Sequence, residues 1–306
     1  MSTTGWGRKA VCLGQEPFKS TEALPSCARQ RPEEAGLGHT IFILTSEVGD
    51  QRPNILYPPG HLPNIGTVWM IEILSLIHSK GDQTLVKSIP NWDRAPWIET
   101  TESLAKLKSH PRPRLITSHL PVQLFPKSFF SSKAKVIYTA RNPKDMLVSL
   151  YYFAKMASMY DDPGSFEQFL DRFLNGADFL YGSWLDHVKG WMKLKDKPNF
   201  LFLTYEELQQ DLRAGVVKVC KFLGKELDEK TIDLVVENAL FRNMKDNKMA
   251  NFSTLPPGLM DQEKSKFMRK GITGDWKNHF TVAQSENFDQ VYQEKMKDLA
   301  AVFPWE

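Results

Sequence analysis

Three short stretches of the chain carry residues that can do chemistry. The first, Tyr138-Thr139-Ala140-Arg141-Asn142-Pro143-Lys144-Asp145, ends a β-rich run on an arginine, then starts a capped helix that carries Ser149 two turns in. The open N–H groups and dipole of a first helical turn attract an anion, a guanidinium can grip it with two bonds, and a hydroxyl adds one more. The same pattern suits a capped surface helix with an ordinary ion pair, and spacing alone leaves both readings open. The second stretch, Arg269-Lys270-Gly271, sets two cations beside a residue that lets backbone approach a ligand closely. It fits a second phosphate, or a solvated surface. The third is His119, in Thr117-Ser118-His119-Leu120-Pro121 at the end of another β-rich run. A neutral imidazole there can take a proton from a hydroxyl, although a lone histidine at a strand end also serves purely structural roles.

Such residues work only if strands and helices deliver them to one place. LITSHL (115–120), AKVIYTA (134–140) and FLFLT (200–204) are β-branched or aromatic runs that end in polar clusters, so each predicts a buried strand. Pro143 to Met159 predicts a helix capped by Asn142 with proline in its first turn. Thr67 to Lys80 has apolar residues at helical spacing and stops at Gly81. With TIFIL (40–44) before it, a strand–loop–helix unit is expected, its loop dense in proline and glycine. Short strands alternating with helices predict an α/β fold with a mostly parallel central sheet flanked by helices, and ligands gathered at the carboxyl ends of the strands.

The bulk numbers narrow the class. The chain has 306 residues, 42% hydrophobic and 25% charged, which is ordinary for a globular protein. A net charge of +3 does not call for nucleic acid. Cys12, Cys27 and Cys220 form neither a disulfide framework nor a metal-ligand spacing. The apolar run from Thr67 to His78 carries Glu72 and is too short to span a bilayer, and no signal peptide is read. Residues 1–37 lack any period and are expected to be poorly ordered, with one domain over 38–306. A cytosolic protein without membrane or nucleic-acid partners follows.

RNPKDMLVSLYYF, LTYEEL, RKGITGDWKNHFTVAQSENFDQVYQEKM and the ending FPWE resemble the cytosolic sulfotransferases, in particular the hydroxysteroid (bile-salt and alcohol) branch, from about Thr67 to Glu306. The resemblance implies a P-loop-type three-layer fold and transfer of a sulfonate from 3′-phosphoadenosine 5′-phosphosulfate (PAPS), with no metal, to the hydroxyl of a lipophilic acceptor such as a steroid or bile acid. It implies that Arg141, Ser149, Arg269, Lys270 and Gly271 cradle the 3′-phosphate, that Tyr205 and Trp69 meet the adenine end, and that His119 is the general base. Gly66, Thr67 and Val68 would complete the donor loop, and Trp92, Trp97 and Phe153 could line the acceptor pocket. Lys277 to Glu286 is similar to a segment used for pairing subunits, which implies a homodimer. One departure is plain. The donor loop Y-P-K-S-G-T-x-W reads Leu62-Pro63-Asn64-Ile65-Gly66-Thr67-Val68-Trp69 here, without its lysine and serine. The alternative to a working enzyme is therefore an impaired protein that binds PAP, PAPS or a lipid without turnover.

Overall fold

The computed structural model describes residues 40–45, 65–109, 113–158, 160–175, 182–256 and 258–306. The expected disorder of 1–37 and the Asn64 position lie outside these residues. The strands are β1 (Thr40–Thr45), β2 (Arg114–Ser118), β3 (Lys135–Ala140) and β4 (Phe200–Thr204). The helices before β4 are α1 (Ile65–His78), α2 (Thr84–Ser88), α3 (Asn91–Arg94), α4 (Thr101–Ser109), α5 (Pro143–Met156), α6 (Phe166–Asn175) and α7 (Trp184–Met192). Those after it are α8 (Tyr205–Gln210), α9 (Leu212–Leu223), α10 (Glu229–Asn238), α11 (Phe241–Asp246) and α12 (Val282–Met296).

The strands form one sheet in the order β2-β1-β3-β4. β3 and β4 are parallel and β1 is antiparallel to both β2 and β3, so β2, β3 and β4 all point one way. Alternate residues face opposite helical layers, as a strand's period of two requires. Ile116, Val136 and Tyr138 pack with α5 and α7 through Leu147, Leu150, Val188 and Trp191. Leu115, Ile137 and Leu203 pack with α1, α9 and α10 through Ile71, Leu74, Val216 and Val235. The expected three-layer α/β arrangement is present.

The strand–loop–helix unit expected at Thr40 to Lys80 is different. β1 pairs Ile41 with Ser118 and Leu44 with Lys135, which puts its carboxyl end beside the amino ends of β2 and β3. α1, in contrast, brings Trp69 against Tyr205, which directly follows β4. The carboxyl end of β1 and the first turns of α1 therefore lie at opposite edges of the sheet. An apolar run such as TIFIL reveals burial; its direction is set by pairing.

Local signals fix the ends of the elements. Asn142 Oδ1 accepts from the Lys144 amide at 2.9 Å at the start of α5, with Pro143 in the first turn. Thr204 and Glu207 exchange side-chain and backbone bonds in a capping box that turns β4 into α8. α1 is followed by Gly81 at φ 82°, where a side chain would be strained.

α1 is anchored to α3 by a buried ion pair, Arg94 Nη2 to Glu72 Oε2 at 2.6 Å, with Asn247 Nδ2 on the other carboxylate oxygen at 3.3 Å. Burial pushes the Glu72 carboxyl above its ordinary value, against the pull of the Arg94 guanidinium. Breaking such a pair strands a charge, whereas replacing both members with apolar groups is close to neutral. Arg94→Met is expected to cost about 3–5 kcal/mol in urea unfolding, and Glu72→Met added to it should recover most of that loss.

Candidate active site

The carboxyl ends of β2, β3 and β4 deliver His119, Arg141 and Tyr205 to the same edge of the sheet. Arg141 is almost fully buried. Its Nη2 donates to the Ile272 carbonyl at 2.8 Å, and its guanidinium lies 4.3 Å from the centre of the Tyr205 ring. Trp69 meets the same ring edge-on at 5.0 Å and donates through Nε1 to the Ala239 carbonyl at 2.7 Å. Gln209 Nε2 bridges the Tyr205 hydroxyl at 3.1 Å and the Gly271 carbonyl at 3.0 Å. Burial raises the Tyr205 hydroxyl above its ordinary value, so it stays neutral. Residues from five separate parts of the chain thus form one continuous cluster.

Gly271 adopts φ 68°, and a Cβ there would overlap the Phe241 ring. That position requires glycine. Arg269 and Lys270 are held by one buried carboxylate, Asp275, at 2.7 Å and 2.6 Å. Burial alone would raise Asp275; hydrogen bonds from Lys270, Asn278 and Arg269 outweigh it and hold the carboxyl well below its usual range. Arg141 Nε and Arg269 Nε are buried without a hydrogen-bond partner. Buried donors without acceptors are costly, and an anion would complete them. Ser149 is buried on α5. Thr67 and Val68 are fully buried in α1, with Val68 in an apolar cluster with Phe153 and Phe252, and Gly66 is helical.

His119, also buried, is held on both sides. Its amide donates to Glu99 Oε1, and its Nδ1 lies 3.7 Å from the same oxygen. Its carbonyl accepts from His187 Nε2 at 3.1 Å, while His187 Nδ1 meets the Tyr138 hydroxyl at 2.9 Å. Trp97 stands edge-on to the His119 ring at 5.8 Å. Of the residues suggested for an acceptor pocket, Trp92 packs on Phe252 at 5.1 Å, and Phe153 is core in the same cluster.

This arrangement has known counterparts. A family model described as the sulfotransferase domain matches residues 62–300. The chain belongs to the sulfotransferase family. Sulfotransferase 2B1 of Rattus norvegicus is 55% identical over 244 residues, covering 80% of this chain and 71% of that protein. Sulfotransferase 2A1 of Homo sapiens is 51% identical over 245 residues, covering 80% and 85%. The 3-beta-hydroxysteroid sulfotransferase of Cavia porcellus is 53% identical over 245 residues, with the same coverage of 80% and 85%. Among solved structures, mouse sulfotransferase SULT7A1 complexed with PAP has a TM-score of 0.62 at 28% identity, covering 81% of this chain and 86% of that one. A retinol dehydratase in complex with androsterone and PAP has a TM-score of 0.70, covering 84% of each chain; at 23% identity it supports the fold alone.

Around this candidate site, sequence reasoning missed Asp275, Gln209, Glu99 and His187. Asp275 had a visible signal, an acid five residues beyond Lys270 in a basic stretch. The others contact backbone or residues far along the chain, and their neighbours in sequence give no hint of it.

His187 also carries a pH dependence. Burial lowers its imidazole from 6.5 to about 3, so it is neutral in the fold. Between those values the unfolded chain binds a proton that the native chain does not, so stability falls as pH drops through that window, by at most about 1.4 kcal/mol per pH unit from this group. Urea midpoints at pH 7.5, 6 and 5 should fall in the wild type and fall less steeply in His187→Gln, which keeps a donor for the His119 carbonyl.

Proposed function

We propose that this sulfotransferase moves the sulfonate of PAPS to the hydroxyl of a steroid or related lipophilic alcohol, with His119 as general base. The observation that carries the reading is the joining of Trp69, Arg141, Tyr205 and Arg269 to Gly271 in one cluster whose buried guanidinium nitrogens Arg141 Nε and Arg269 Nε lack acceptors. Those donors suit the 3′-phosphate, and the adjoining Tyr205 and Trp69 rings suit a purine. Ser149 would add a hydroxyl to the phosphate, with Gly66, Thr67 and Val68 belonging to the donor end. Hydroxysteroid sulfotransferases among the relatives support the acceptor class. The comparisons give the binding-only alternative no support.

In the reaction, His119 accepts the hydroxyl proton as the acceptor oxygen bonds to sulfur. The bond from sulfur to the bridging phosphate oxygen breaks, and that oxygen departs with its electron pair as part of PAP. Proton removal of this kind contributes about 10²–10⁴ in rate. Asn64 offers a hydrogen bond but no charge to the departing oxygen, so turnover is expected to be slow.

The proposal includes a cytosolic setting and a homodimer through Lys277 to Glu286. Among the described residues no helix is long and apolar enough to cross a membrane. Val282, in the pairing segment, is 75% exposed on the first turn of α12, which favours a contact there.

Two measurements test the assignment. Arg141→Ala should abolish calorimetric binding of PAP, whereas His119→Ala should keep PAP affinity and lower kcat by about 10² or more. Equal loss of binding and turnover in His119→Ala would make that histidine structural. Asn64→Lys with Ile65→Ser should raise kcat by about 10²–10³ and affinity far less, because the added cation meets charge that grows only in the transition state. A gain confined to affinity would count against that role.

A further inference from the structure

We infer that Glu99 is the positioning residue of His119, fixing both its backbone and the tautomer of its ring; this rests on the reading of His119 as the base. Glu99 is buried in the segment between α3 and α4 and forms no ion pair with lysine or arginine among the described residues. Its Oε1 accepts from Ser118 Oγ at 2.9 Å and from the His119 amide, and sits 3.7 Å from His119 Nδ1. Its other oxygen is buried without a hydrogen bond. Burying a carboxylate in this state is costly, so the site is poor design for stability alone.

The geometry gives that cost a use. A carboxylate beside Nδ1 favours the proton on that nitrogen, which leaves the lone pair on Nε2. Only the nitrogen with the lone pair can accept a hydroxyl proton. The backbone contacts remove the remaining freedom: Ser118 Oγ, which donates to Glu99, also accepts from the Leu120 amide at 3.2 Å. On the far side, His187 holds the His119 carbonyl and Trp191 Nε1 holds that of Leu120 at 3.0 Å. With the backbone fixed in this way, Glu99 beside Nδ1 biases which ring nitrogen carries hydrogen.

Glu99→Gln tests this, since it keeps the shape and an oxygen able to accept both bonds while removing the charge. Kinetics should give a kcat lowered by roughly 10², within the contribution of a general base, with KM for PAPS unchanged and the urea midpoint equal to or above that of the wild type. A second readout does not need turnover: imidazole nitrogen-15 shifts in histidine-labelled protein, with the His119 signal assigned by its loss in His119→Asn. The wild type should show separate protonated Nδ1 and unprotonated Nε2 signals, and Glu99→Gln should move both toward the averaged position of mixed tautomers. Unchanged shifts overturn the inference, whatever the kinetics. If His119→Asn keeps full kcat, the assignment of the base fails, while the nitrogen shifts still decide whether Glu99 sets the tautomer. Should Glu99→Gln not fold, Glu99→Asp withdraws the charge by one methylene and should give intermediate shifts; wild-type shifts there overturn the inference.

Discussion

The Asp145 carboxylate is the contact on which the site depends. It sits buried in the first turn of α5 and accepts backbone N–H bonds from Gly274 at 2.6 Å and Trp276 at 2.9 Å. Charged hydrogen bonds of this kind contribute about 1.5–3 kcal/mol each, and losing the acceptor would strand two amides. Their effect reaches beyond stability. α5 begins two residues after Arg141, and the loop Arg269 to Gly271 lies a few residues before Gly274, so one side chain ties the two cationic motifs together across more than a hundred residues of sequence. On the proposed reading, a phosphate would without it have to order the loop as it bound, and affinity would be reduced by the cost of that ordering.

Asp275 acts on the same loop by charge. Two cations placed side by side repel each other, and a buried carboxylate between them relieves the repulsion and sets their directions. Arg141 approaches from the end of β3 with Glu206 beside it, whose Oε1 accepts from the Asn142 amide at 2.9 Å. Asp275 thus prearranges Arg269 and Lys270 before any ligand arrives.

The sequence makes the elements and the chemical motifs legible, because each depends on neighbours: alternation in Val136 to Tyr138, the cap at Asn142, the paired cations before Gly271. The same holds for the carboxyl-edge placement of His119 and Arg141, since parallel strands fed by helices leave their functional ends on one side. What stays hidden is long range. Nothing near Glu99 foretells that it will meet Ser118 and His119, and nothing in WLDHVKGWM says that His187 will lie under the His119 carbonyl. The direction of β1 is hidden for the same reason. The run TIFIL gives no sign of it, and the antiparallel pairing with both neighbours sets it.

That direction bears on the chemistry. In a strand that runs with its neighbours, the backbone N–H groups leaving its end would flow directly into the first turn of the next helix, forming one cradle for phosphate. Here β1 ends at the edge opposite His119, Arg141 and Tyr205, so the end of that strand brings no amides to the cluster. The groups proposed to hold the 3′-phosphate stand elsewhere: Arg141 just after β3, Ser149 on α5, and the loop from Arg269 to Gly271 that Asp145 ties to α5. On the proposed reading, affinity for nucleotide and speed of transfer are set by different parts of the molecule: the first by the contacts around Arg141 and Asp145, the second by a sequence that carries Asn64 and Ile65 where the family has lysine and serine, and by the base that Glu99 is inferred to position.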